Sequence, residues 1–538
     1  MLRLTDIKLA LDHPKNALET AVLKKLGIQP EDLLGYSIVK RSYDARRKNQ
    51  IKLIYSLNVD IRREKEILRR KRKDNTVQLS PDTGYKFVAQ APDDLDHRPM
   101  IVGTGPCGLF AGLLLAQMGF DPIILERGKP VRERTVDTFG FWRQRELDPE
   151  SNVQFGEGGA GTFSDGKLHT QIKDKKHLGR KVLTEFVDAG APEEILYISK
   201  PHIGTLKLVK IVENMRNTIQ DLGGKFLFQS RVDELIIEDN QLRGVILASG
   251  KKFYSDHVIL AIGHSARDTF QMLYQCGVQI EAKPFSMGLR IEHPQALIDE
   301  CRFGENSGNP ILGAADYKLV HHSSNGRSVY SFCMCPGGTV LAASSEYGTV
   351  VTNGMSQYSR NAGNANSAIV VEVFPEDYPE SPLAGVDYQR KWEQRAFELG
   401  GGTYDAPGQL VGDFLAGRPS TEFGSVQPSY KPGVRLGDLS TSLPDYIIEA
   451  IREALPVFEK QIRGFVMADA VLTGVETRTS SPIQILRGRD FQSVNITGLY
   501  PSGEGSGYAG GILSSAVDGI KVAEAVALNI VKALVLKD

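Results

Sequence analysis

The sequence is poor in cysteine and tryptophan, has no long hydrophobic run and carries almost no net charge. Its 538 residues include five cysteines and two tryptophans, and its formal net charge is −1. So few cysteines, in an odd number, argue against the disulfide framework of a secreted protein. No apolar run reaches the roughly 18–20 residues of a membrane-spanning helix, and Met1–Lys15 contains no signal-peptide core. We therefore expect a cytoplasmic protein without a membrane role, long enough for about three domains.

Glycine is abundant instead, and its most informative cluster follows the apolar run Met100–Val102. Gly103, Gly105 and Gly108 come next, then a small-residue helix and a second apolar run that ends at Glu126. This order is typical of a βαβ unit that binds an adenine dinucleotide. Gly103 permits the tight turn, Gly105 lets the backbone approach a pyrophosphate, and Gly108 lets the helix pack closely, with its N-terminus toward the phosphates. The acid is expected to accept a hydrogen bond from a ribose hydroxyl.

A second glycine cluster near the C-terminus indicates which dinucleotide binds. It follows an apolar strand and leads into a helix. Its members are Gly503, Glu504, Gly505, Gly510, Gly511 and Ile512. The run resembles the second fingerprint of glutathione-reductase-type flavoproteins, which implies that Glu504 bonds the ribitol of a non-covalent FAD and that the helix N-terminus faces the flavin. Reduced flavin carries negative charge that such a terminus stabilises. The alternative is a glycine-rich turn that closes the last helix.

Two further segments resemble cofactor loops of the same superfamily. One is a hairpin with its turn at Gly250–Lys251, followed by the run VILAIG, and the other is the glycine-rich run Phe155–Leu168. The glycine-rich run resembles the loop that wraps the FAD pyrophosphate and the flavin edge. The predicted cofactor contacts in these segments and beside the first fingerprint are Pro106, Cys107, Arg127, Gly158, Gly159, Gly161, Thr162, Ser164, Asp165, Gly166, Lys167, Val232, Ala261 and Gly263. The chain is identified as a flavoprotein of the two-dinucleotide-binding superfamily.

The predicted fold is α/β, with a Rossmann-like FAD-binding domain in two chain segments, 96–280 and 465–538. An α+β cap domain for the substrate is inserted between them at 281–464. No second glycine fingerprint with flanking strands lies between the two segments, so NAD(P)H, if it is the electron donor, binds without a domain of its own.

Residues 1–95 form an added domain in front of the nucleotide fold. The pattern predicts a strand (Leu2–Leu11), a helix (Ala17–Leu26), two strands across Tyr36–Ile61 and a charged helix (Arg63–Lys73). This order indicates a ferredoxin-like α+β sandwich, and the polar run Ala91–Pro99 is interpreted as a linker. Lys40–Lys73 is strongly basic, although the whole chain is nearly neutral. Segregated charge is the footprint of an anionic partner, either a nucleic acid or an acidic protein. The alternative is a solvated hairpin tip and helix face.

Cys333 and Cys335 are the most distinctive residues of the cap. Strand alternation would place both on one face, before the turn Pro336–Gly338. The functional interpretation is a thiol pair near the flavin, as nucleophile or redox partner, since a Cys-x-Cys disulfide is strained and reducible. The alternative is two small buried side chains. No metal site is predicted, because no other cysteine or histidine lies at ligand spacing.

Three further residues, two in the predicted cap and one after it, are candidates for substrate chemistry. Arg290 is predicted to clamp a carboxylate or stabilise flavin charge, and His293, expected on the rim of the same strand, to move protons. A solvated pair of Arg290 with Glu292 is the alternative. Arg478 belongs to a run, ETRTSSP, that resembles the substrate-side turn before the second fingerprint of related flavoproteins.

Several strings together resemble a bacterial family of uncharacterised FAD-dependent dehydrogenases over nearly the full length. They are KRSYDAR, GTFSDGKL, SFCMCPGG, NGMS with ANSA, ETRTSSP and GEGSGYAGG. The resemblance implies FAD and an oxidoreductase that transfers hydride between the flavin and a small organic substrate. It names no substrate and no oligomeric state. Two alternatives from other classes stay open: a flavoprotein that binds nucleic acid through its basic N-terminal domain, and an electron-transfer adaptor to a protein partner.

Overall fold

The computed structural model describes residues 1–93, 95 and 97–535, so Asp94 and Asp96 of the predicted linker and the final residues 536–538 lie outside it. It is a mixed α/β protein with one parallel sheet and several antiparallel ones. Within the described residues no helix combines the length and the apolar character needed to cross a membrane.

The N-terminal domain is an antiparallel sheet with two helices. Its elements are β1 (Leu2–Ala10), α1 (Ala17–Leu26), β2 (Leu33–Asp44), β3 (Lys52–Ile61), α2 (Glu64–Arg70) and β4 (Val77–Leu79). The strand order is β2-β3-β1-β4 and every pair is antiparallel, which is the arrangement of a ferredoxin-like sandwich. The sequence pattern does not predict the short strand β4. Alternate residues of β3, such as Leu53, Tyr55 and Leu57, are buried, as expected of a sheet covered on one face.

The domain that the sequence predicts to bind a nucleotide, called the nucleotide-binding domain for that prediction, begins with the first glycine fingerprint. Its first segment holds β5 (Met100–Val102), α3 (Pro106–Gln117), β6 (Ile123–Leu125), α4 (Val131–Gln144), α5 (Leu178–Asp188), α6 (Thr205–Asp221), β7 (Lys225–Leu227), β8 (Val232–Glu238), β9 (Gln241–Leu247), β10 (Lys252–Tyr254), β11 (Val258–Leu260) and α7 (Arg267–Gln275). Strands β8 to β10 form a separate antiparallel sheet, and its β9–β10 turn lies at Gly250.

The cap follows as a long insertion. Its elements and the strands at its two ends are β12 (Ile280–Ala282), β13 (Phe285–Pro294), α8 (Gln295–Phe303), β14 (Val320–His322), β15 (Ser328–Cys335), β16 (Gly338–Ala342), β17 (Thr352–Ser356), β18 (Asn364–Val373), α9 (Ala384–Leu399), β19 (Ala406–Leu410), α10 (Val411–Ala416), β20 (Val434–Leu436), α11 (Asp445–Glu459), β21 (Val471–Glu476) and β22 (Ile483–Ile485). Seven of its strands form one sheet in the order β14-β15-β18-β13-β21-β19-β20.

The cap extends further along the chain than the predicted boundary at 464. β21 pairs with β13 on one side and β19 on the other, and all six of its residues are buried. A strand paired on both sides is an interior part of its sheet, so residues 471–476 belong to the cap and not to the returning nucleotide-binding segment. β12 and β22 pair with each other where the chain leaves the nucleotide-binding domain and comes back.

The nucleotide-binding domain is completed by β23 (Leu499–Pro501) and α12 (Ile512–Val535). All neighbours in its five-stranded sheet are parallel, in the order β23-β11-β5-β6-β7. The chain therefore builds outward from β5 in both directions, and the strand order reverses between β5 and β11. Ligands of doubly wound sheets bind at this point, outside the carboxyl ends of the strands.

The hairpin of the N-terminal domain contacts both other domains. The Arg41 N–H donates to the Tyr197 carbonyl at 2.6 Å, and the Ser199 N–H donates to the Arg41 carbonyl at 2.9 Å. Asn306 of the cap donates to the Lys48 carbonyl at 2.9 Å. The backbone of the hairpin is therefore docked, whereas the side chains of residues 46–50 at its tip are exposed, so the alternative of a solvated tip stays open.

Candidate functional site

A cleft of about 440 Å³ opens at the carboxyl ends of the parallel strands. The predicted cofactor residues that line it are Gly103, Gly105, Pro106, Cys107, Glu126, Arg127, Gly159, Gly161, Ser164, Asp165, Gly166, Lys167, Val232, Ala261, Gly263, Glu504, Gly510, Gly511 and Ile512. The cap contributes Phe332, Cys333, Asn353 and Arg478 to the wall. The four glycine-rich segments, which are far apart in sequence, therefore meet at one cleft that the cap covers from the other side.

Four glycines of the wall face open space. A Cβ built on Gly263, Gly510 or Gly511 has no heavy atom within 4 Å, and one on Gly105 has only the Gly159 Cα, at 3.8 Å. Packing inside the protein therefore does not require glycine at these positions, although the φ values of +73° at Gly263 and +153° at Gly511 favour glycine for the backbone conformation. Side chains there would fill the cleft, so the absence of side chains keeps room for a ligand that lies against the backbone.

The predicted cofactor residues outside the wall have a different role. They are Gly108, Gly158, Thr162, Gly503 and Gly505. A Cβ on Gly108 would lie 1.9 Å from the Gly103 carbonyl oxygen, and one on Gly505 would lie 2.4 Å from that of Gly263. These glycines let the loops and helix α3 pack against one another. Gly103 itself has φ +103° and makes the turn out of β5, as the sequence predicts.

Two helices begin at the cleft. Helix α3 starts at Pro106, and no side chain caps its N-terminus, while α12 starts at Ile512 directly after the open glycines. The first N–H groups of a helix lack partners within the helix and carry partial positive charge. A ligand with anionic groups fits such a wall.

Glu126 is buried at the wall and already holds four donors. Its Oε1 accepts from the N–H groups of Gly128 and Gly156, and its Oε2 accepts from the N–H and the hydroxyl of Thr104. The carboxylate thus ties the first fingerprint to the loop that follows α4. Its predicted contact with a ribose hydroxyl stays a prediction.

Glu504 differs, because no hydrogen bond to its carboxylate is found among the described residues. Burial raises its pKa to about 7, although Lys283 opposes this shift. A half-buried carboxyl at the wall of a cleft, with no donor from that part of the chain, is suited to a ligand hydroxyl.

Asp165 and Lys167 form a charged cluster with Arg360 on the same wall. Arg360 Nε donates to Asp165 Oδ1 at 2.9 Å, and Lys167 Nζ lies 3.2 Å from Asp165 Oδ2. Lys167 Nζ also donates to the Met334 carbonyl, between the two cysteines of the cap. Burial opposes the charge of Asp165, yet Lys167 and Arg360 lower its pKa well below the usual range. Lys167 therefore links the glycine-rich loop to β15.

The structure brings Cys333 to the cleft and leaves Cys335 behind it. The predicted alternation is wrong, because the register with β18 shifts between Phe332 and Cys335 and Cys333 has φ +45°. This bulge turns Cys333 into the wall. Cys335 is fully buried, and its Sγ donates to the Cys333 carbonyl at 3.2 Å. Both thiols are free.

Arg290 is fully buried and does not line the cleft. Its guanidinium forms a bidentate pair with Glu476, at 3.0 and 2.9 Å, and donates to Asn366 at 2.6 Å. The solvated pair with Glu292 is wrong, because the carboxylate of Glu292 accepts hydrogen bonds from Asn364 and Ser429. A clamp on a substrate carboxylate stays a prediction that would require Arg290 to leave Glu476.

His293 does not lie on a rim. It is fully buried, its Nε2 lies 2.7 Å from the Phe465 carbonyl oxygen, and burial lowers its pKa to about 4. Every residue of β13 except Pro294 is buried, because the strand is central in its sheet and covered on both faces. The rim position is therefore wrong, and the proton-transfer role stays a prediction without a contact to the cleft.

Arg478 does line the cleft, within a buried charged cluster. Its Nε and Nη2 donate to Glu393 at 3.0 and 2.9 Å, and its Nη1 donates to Ser345 at 2.6 Å. Arg267 donates to the same Glu393 from the other side, at 2.9 and 2.7 Å. Arg267 also donates to Glu346 at 2.9 Å, so two carboxylates balance the two arginines of this cluster.

The sequence predictions missed His169, His264 and Thr479, which also line the cleft. Burial lowers the pKa of His264 to about 4, so its ring is neutral near pH 7. The sequence could have indicated His264, because this residue follows Gly263 directly at the end of a predicted strand. It could not have indicated the Arg267–Glu393 cluster, because these two residues are 126 positions apart. No group of three or more potential metal ligands occurs in the described ranges.

Comparisons with known proteins agree with this geometry. Residues 284–479 match the family described as "FAD-dependent protein, C-terminal domain-like", and residues 1–60 match a domain of unknown function, DUF8436. A short stretch of 49 residues is 49% identical to the tRNA uridine 5-carboxymethylaminomethyl modification enzyme MnmG of Alkaliphilus metalliredigens, covering 9% of this chain and 8% of that protein.

Solved structures overlap this chain only loosely. Quinol fumarate reductase FrdA of E. coli has a TM-score of 0.36 at 13% identity and covers 81% of this chain and 71% of its own. Glycerol-3-phosphate dehydrogenase of Bacillus halodurans, complexed with FAD, has a TM-score of 0.35 at 11% identity, covering 82% and 65%. Scores this low do not establish a common fold.

One relative matches from end to end. A protein of Clostridium beijerinckii, described as uncharacterized, is 49% identical over 525 residues, which cover 97% of this chain and 98% of that protein. The chain therefore belongs to the same family as the Clostridium beijerinckii protein, and it carries the C-terminal domain-like region of FAD-dependent proteins.

Proposed function

We propose that the cleft binds FAD non-covalently and that the protein is an FAD-dependent oxidoreductase acting on a small organic substrate between the cofactor and the cap. The observation that carries the proposal is the wall of Gly105, Gly263, Gly510 and Gly511, whose absent side chains leave the cleft open. Bound FAD would supply two-electron hydride chemistry.

The residues divide by the part of FAD that they suit. The turn at Gly103–Gly105 and the N-terminus of α3 suit the pyrophosphate. Glu126 suits a ribose hydroxyl, and Arg127 lies beside it in the wall. Glu504, which accepts no hydrogen bond from the described residues, suits the ribitol hydroxyls, and the N-terminus of α12 suits the negative charge of a reduced flavin.

The cap side of the cleft is where a substrate would meet the flavin. Its side chains include Phe332, Cys333, Asn353 and Arg478. Arg478 is the cation of this set and suits a substrate with a carboxylate or another anionic group. The choice between NADH, NADPH and another donor is open to experiment. The nucleic-acid and adaptor alternatives stay predictions that no contact in the cleft favours.

The test is the cofactor content of the purified full chain. We expect a yellow protein that releases one FAD on denaturation, since non-covalent binding is proposed. Anaerobic bleaching with NADH, NADPH and a panel of organic acids then separates the donor from the substrate. A folded protein that neither retains nor takes up FAD contradicts the proposal.

A further inference from the structure

The cap presents a pair of thiols of unequal exposure at the cleft. Cys333 lies in the wall, and Cys335 lies behind it without solvent contact. The bulge in β15 produces this arrangement, since regular pairing with β18 would not place Cys333 at φ +45°. Among the other three cysteines, Cys107 is buried beside Ser502, with Sγ and Oγ 2.9 Å apart.

The charged groups around the pair leave an excess of one positive charge. Lys167 donates to the backbone between the cysteines, and Arg290 approaches the Cys333 carbonyl at 3.4 Å. Arg360 is the third cation, through Asp165. Two carboxylates oppose these three cations. They are Asp165 and Glu476.

A single thiolate on the cysteine pair would neutralise this excess positive charge. The neighbouring Cys335 thiol, together with Lys167 and Arg290, lowers the pKa of Cys333 in spite of its burial and Asp165. The proximity of Cys333 and burial raise the pKa of Cys335. Glu504, across the cleft, is itself influenced by Cys333. One low-pKa thiol in front of one protonated thiol is the arrangement that thiol–disulfide exchange requires.

We infer that Cys333 and Cys335 are a redox-active dithiol, with Cys333 as the attacking thiolate, Cys335 as the resolving thiol and Lys167 as a positioning residue, and that the substrate is a small-molecule disulfide. The Cys333 sulfur bonds to one substrate sulfur, the substrate S–S bond breaks, and the leaving thiolate takes a proton from water. Cys335 then loses its proton and attacks Cys333, which releases the second thiol. The dithiol loses two electrons and the substrate disulfide gains them.

The inference deepens the proposed function and rests on it only for the return of electrons. Reduced flavin in the same cleft is the chemical class of reductant that would restore the dithiol. The two exchange steps need no flavin, so they can be measured in protein with or without bound FAD.

The first experiment maps alkylation of the full chain by iodoacetamide between pH 5 and 9, with each cysteine followed by peptide mass spectrometry. We expect Cys333 to react fastest and to keep reacting below the pH at which ordinary thiols, with a pKa of about 8.5, become slow. Lys167→Met should slow Cys333 at pH 7 by about tenfold, the effect of one pKa unit. Lys173→Met, an exposed lysine nearby, is the matched control and should change nothing.

The second experiment adds oxidised glutathione. Wild type should form an internal Cys333–Cys335 disulfide, Cys335→Ser should retain glutathione on Cys333, and Cys333→Ser should do neither. Cys301→Ser, another cap cysteine, should behave as wild type. Melting temperatures confirm folding, and Cys335→Ala replaces Cys335→Ser if the serine is not tolerated.

Two results would overturn the inference: ordinary reactivity of Cys333 that Lys167→Met leaves unchanged, or persistent glutathione on Cys333 in wild type. Flavin content is measured in the same samples. Bound FAD with inert thiols refutes the dithiol and leaves the proposed cofactor intact. Reactive thiols in a protein that never binds FAD refute the cofactor and leave the dithiol intact.

Discussion

The two walls of the cleft are built in different ways. The nucleotide-binding wall consists mainly of backbone and glycine. Each of its four glycine-rich segments is a short, continuous stretch, and three of them follow a parallel strand. The cap wall consists of side chains whose partners come from distant parts of the chain. Arg290 and Glu476 are 186 residues apart, and Lys167 lies 167 residues from Met334.

This difference shows which parts of a functional site can be identified from the sequence. A glycine loop has a local cause, since a turn, a helix start and a close approach are all determined within a few residues. A buried charge pair has a non-local cause, since its partner is chosen by the packing of the sheet. The cofactor class is therefore visible in the sequence, and the chemistry of the cap is not.

The largest effect is expected from a substitution among the glycines of the nucleotide-binding wall. Gly105→Leu should abolish FAD binding, because the side chain would occupy the cleft, while its φ of −65° and the distance of 3.8 Å to the nearest atom predict little strain in the fold. Flavin absorbance per polypeptide measures the loss. Gly140→Leu, where a Cβ on helix α4 also meets nothing within 4 Å, is the control and should keep its FAD. A fully flavinated Gly105→Leu protein would refute this assignment of the loop.

The next effect concerns the cap wall and should appear in stability. Glu476→Gln leaves Arg290 buried with one anion fewer, which should lower the free energy of unfolding by about 3–5 kcal/mol. The double variant Arg290→Met with Glu476→Leu should recover most of this loss, because apolar side chains of similar size need no counter-ion. Urea unfolding measures both variants. A loss below about 1 kcal/mol would mean that the Arg290–Glu476 pair is exposed to solvent and not buried.

The same contrast sets how much of the molecule the sequence predicts. The bounds of α1 at Ala17–Leu26 and of β5 at Met100–Val102 are predicted correctly, because apolar spacing and flanking glycines mark them. The burial of His293 and the bulge at Cys333 are not predicted, because both depend on strands paired with β13 and β15 from elsewhere in the chain. A sequence pattern gives the face of a strand only where one face meets solvent.

A smaller effect is expected from the titration of Glu504 in the nucleotide-binding wall. Burial raises the pKa of Glu504 from about 4.5 to about 7 in the folded protein, so the folded state holds this proton more tightly than the unfolded chain. The bound proton therefore contributes fully to the free energy of unfolding below pH 4.5, and this contribution is lost as the pH rises through 7. Glu504→Gln should remove this part of the pH dependence of unfolding in protein freed of FAD, a change of about 1–3 kcal/mol.

Glu157 makes the control for Glu504, since burial also raises its pKa to about 7 while its carboxylate accepts from Val131 and Arg216. Glu157→Gln should therefore alter the same pH window but leave FAD affinity unchanged, whereas Glu504→Gln should also weaken FAD. Equal FAD affinity in wild type and Glu504→Gln would remove the carboxylate from the cofactor site.

The smallest effect on the cleft is expected from the basic helix α2, none of whose residues lines either wall. The cations of this helix and of the residues that flank it divide into two sets. Arg63 pairs with Asp32 at 2.9 Å and Arg70 donates to the Gly27 carbonyl at 3.0 Å, whereas Lys65, Arg69 and Arg72 are exposed, with no ion pair in the part of the chain that the structure describes.

Replacing Lys65, Arg69 and Arg72 by Gln should leave flavin content and melting temperature unchanged, because the three exposed cations stabilise nothing in the fold. Arg70→Gln should cost about 1 kcal/mol, since its donors satisfy the last carbonyls of α1. The anionic partner stays a prediction from charge, and retention of the full chain on immobilised RNA at low salt tests it. Retention that falls in the triple variant and persists in Arg70→Gln would assign the exposed cations to binding. Exposed side chains are available to contact an anionic partner, whereas the hydrogen-bonded side chain of Arg70 stabilises the fold. Retention that is equal in all three proteins, or absent, would assign those cations to solvation alone.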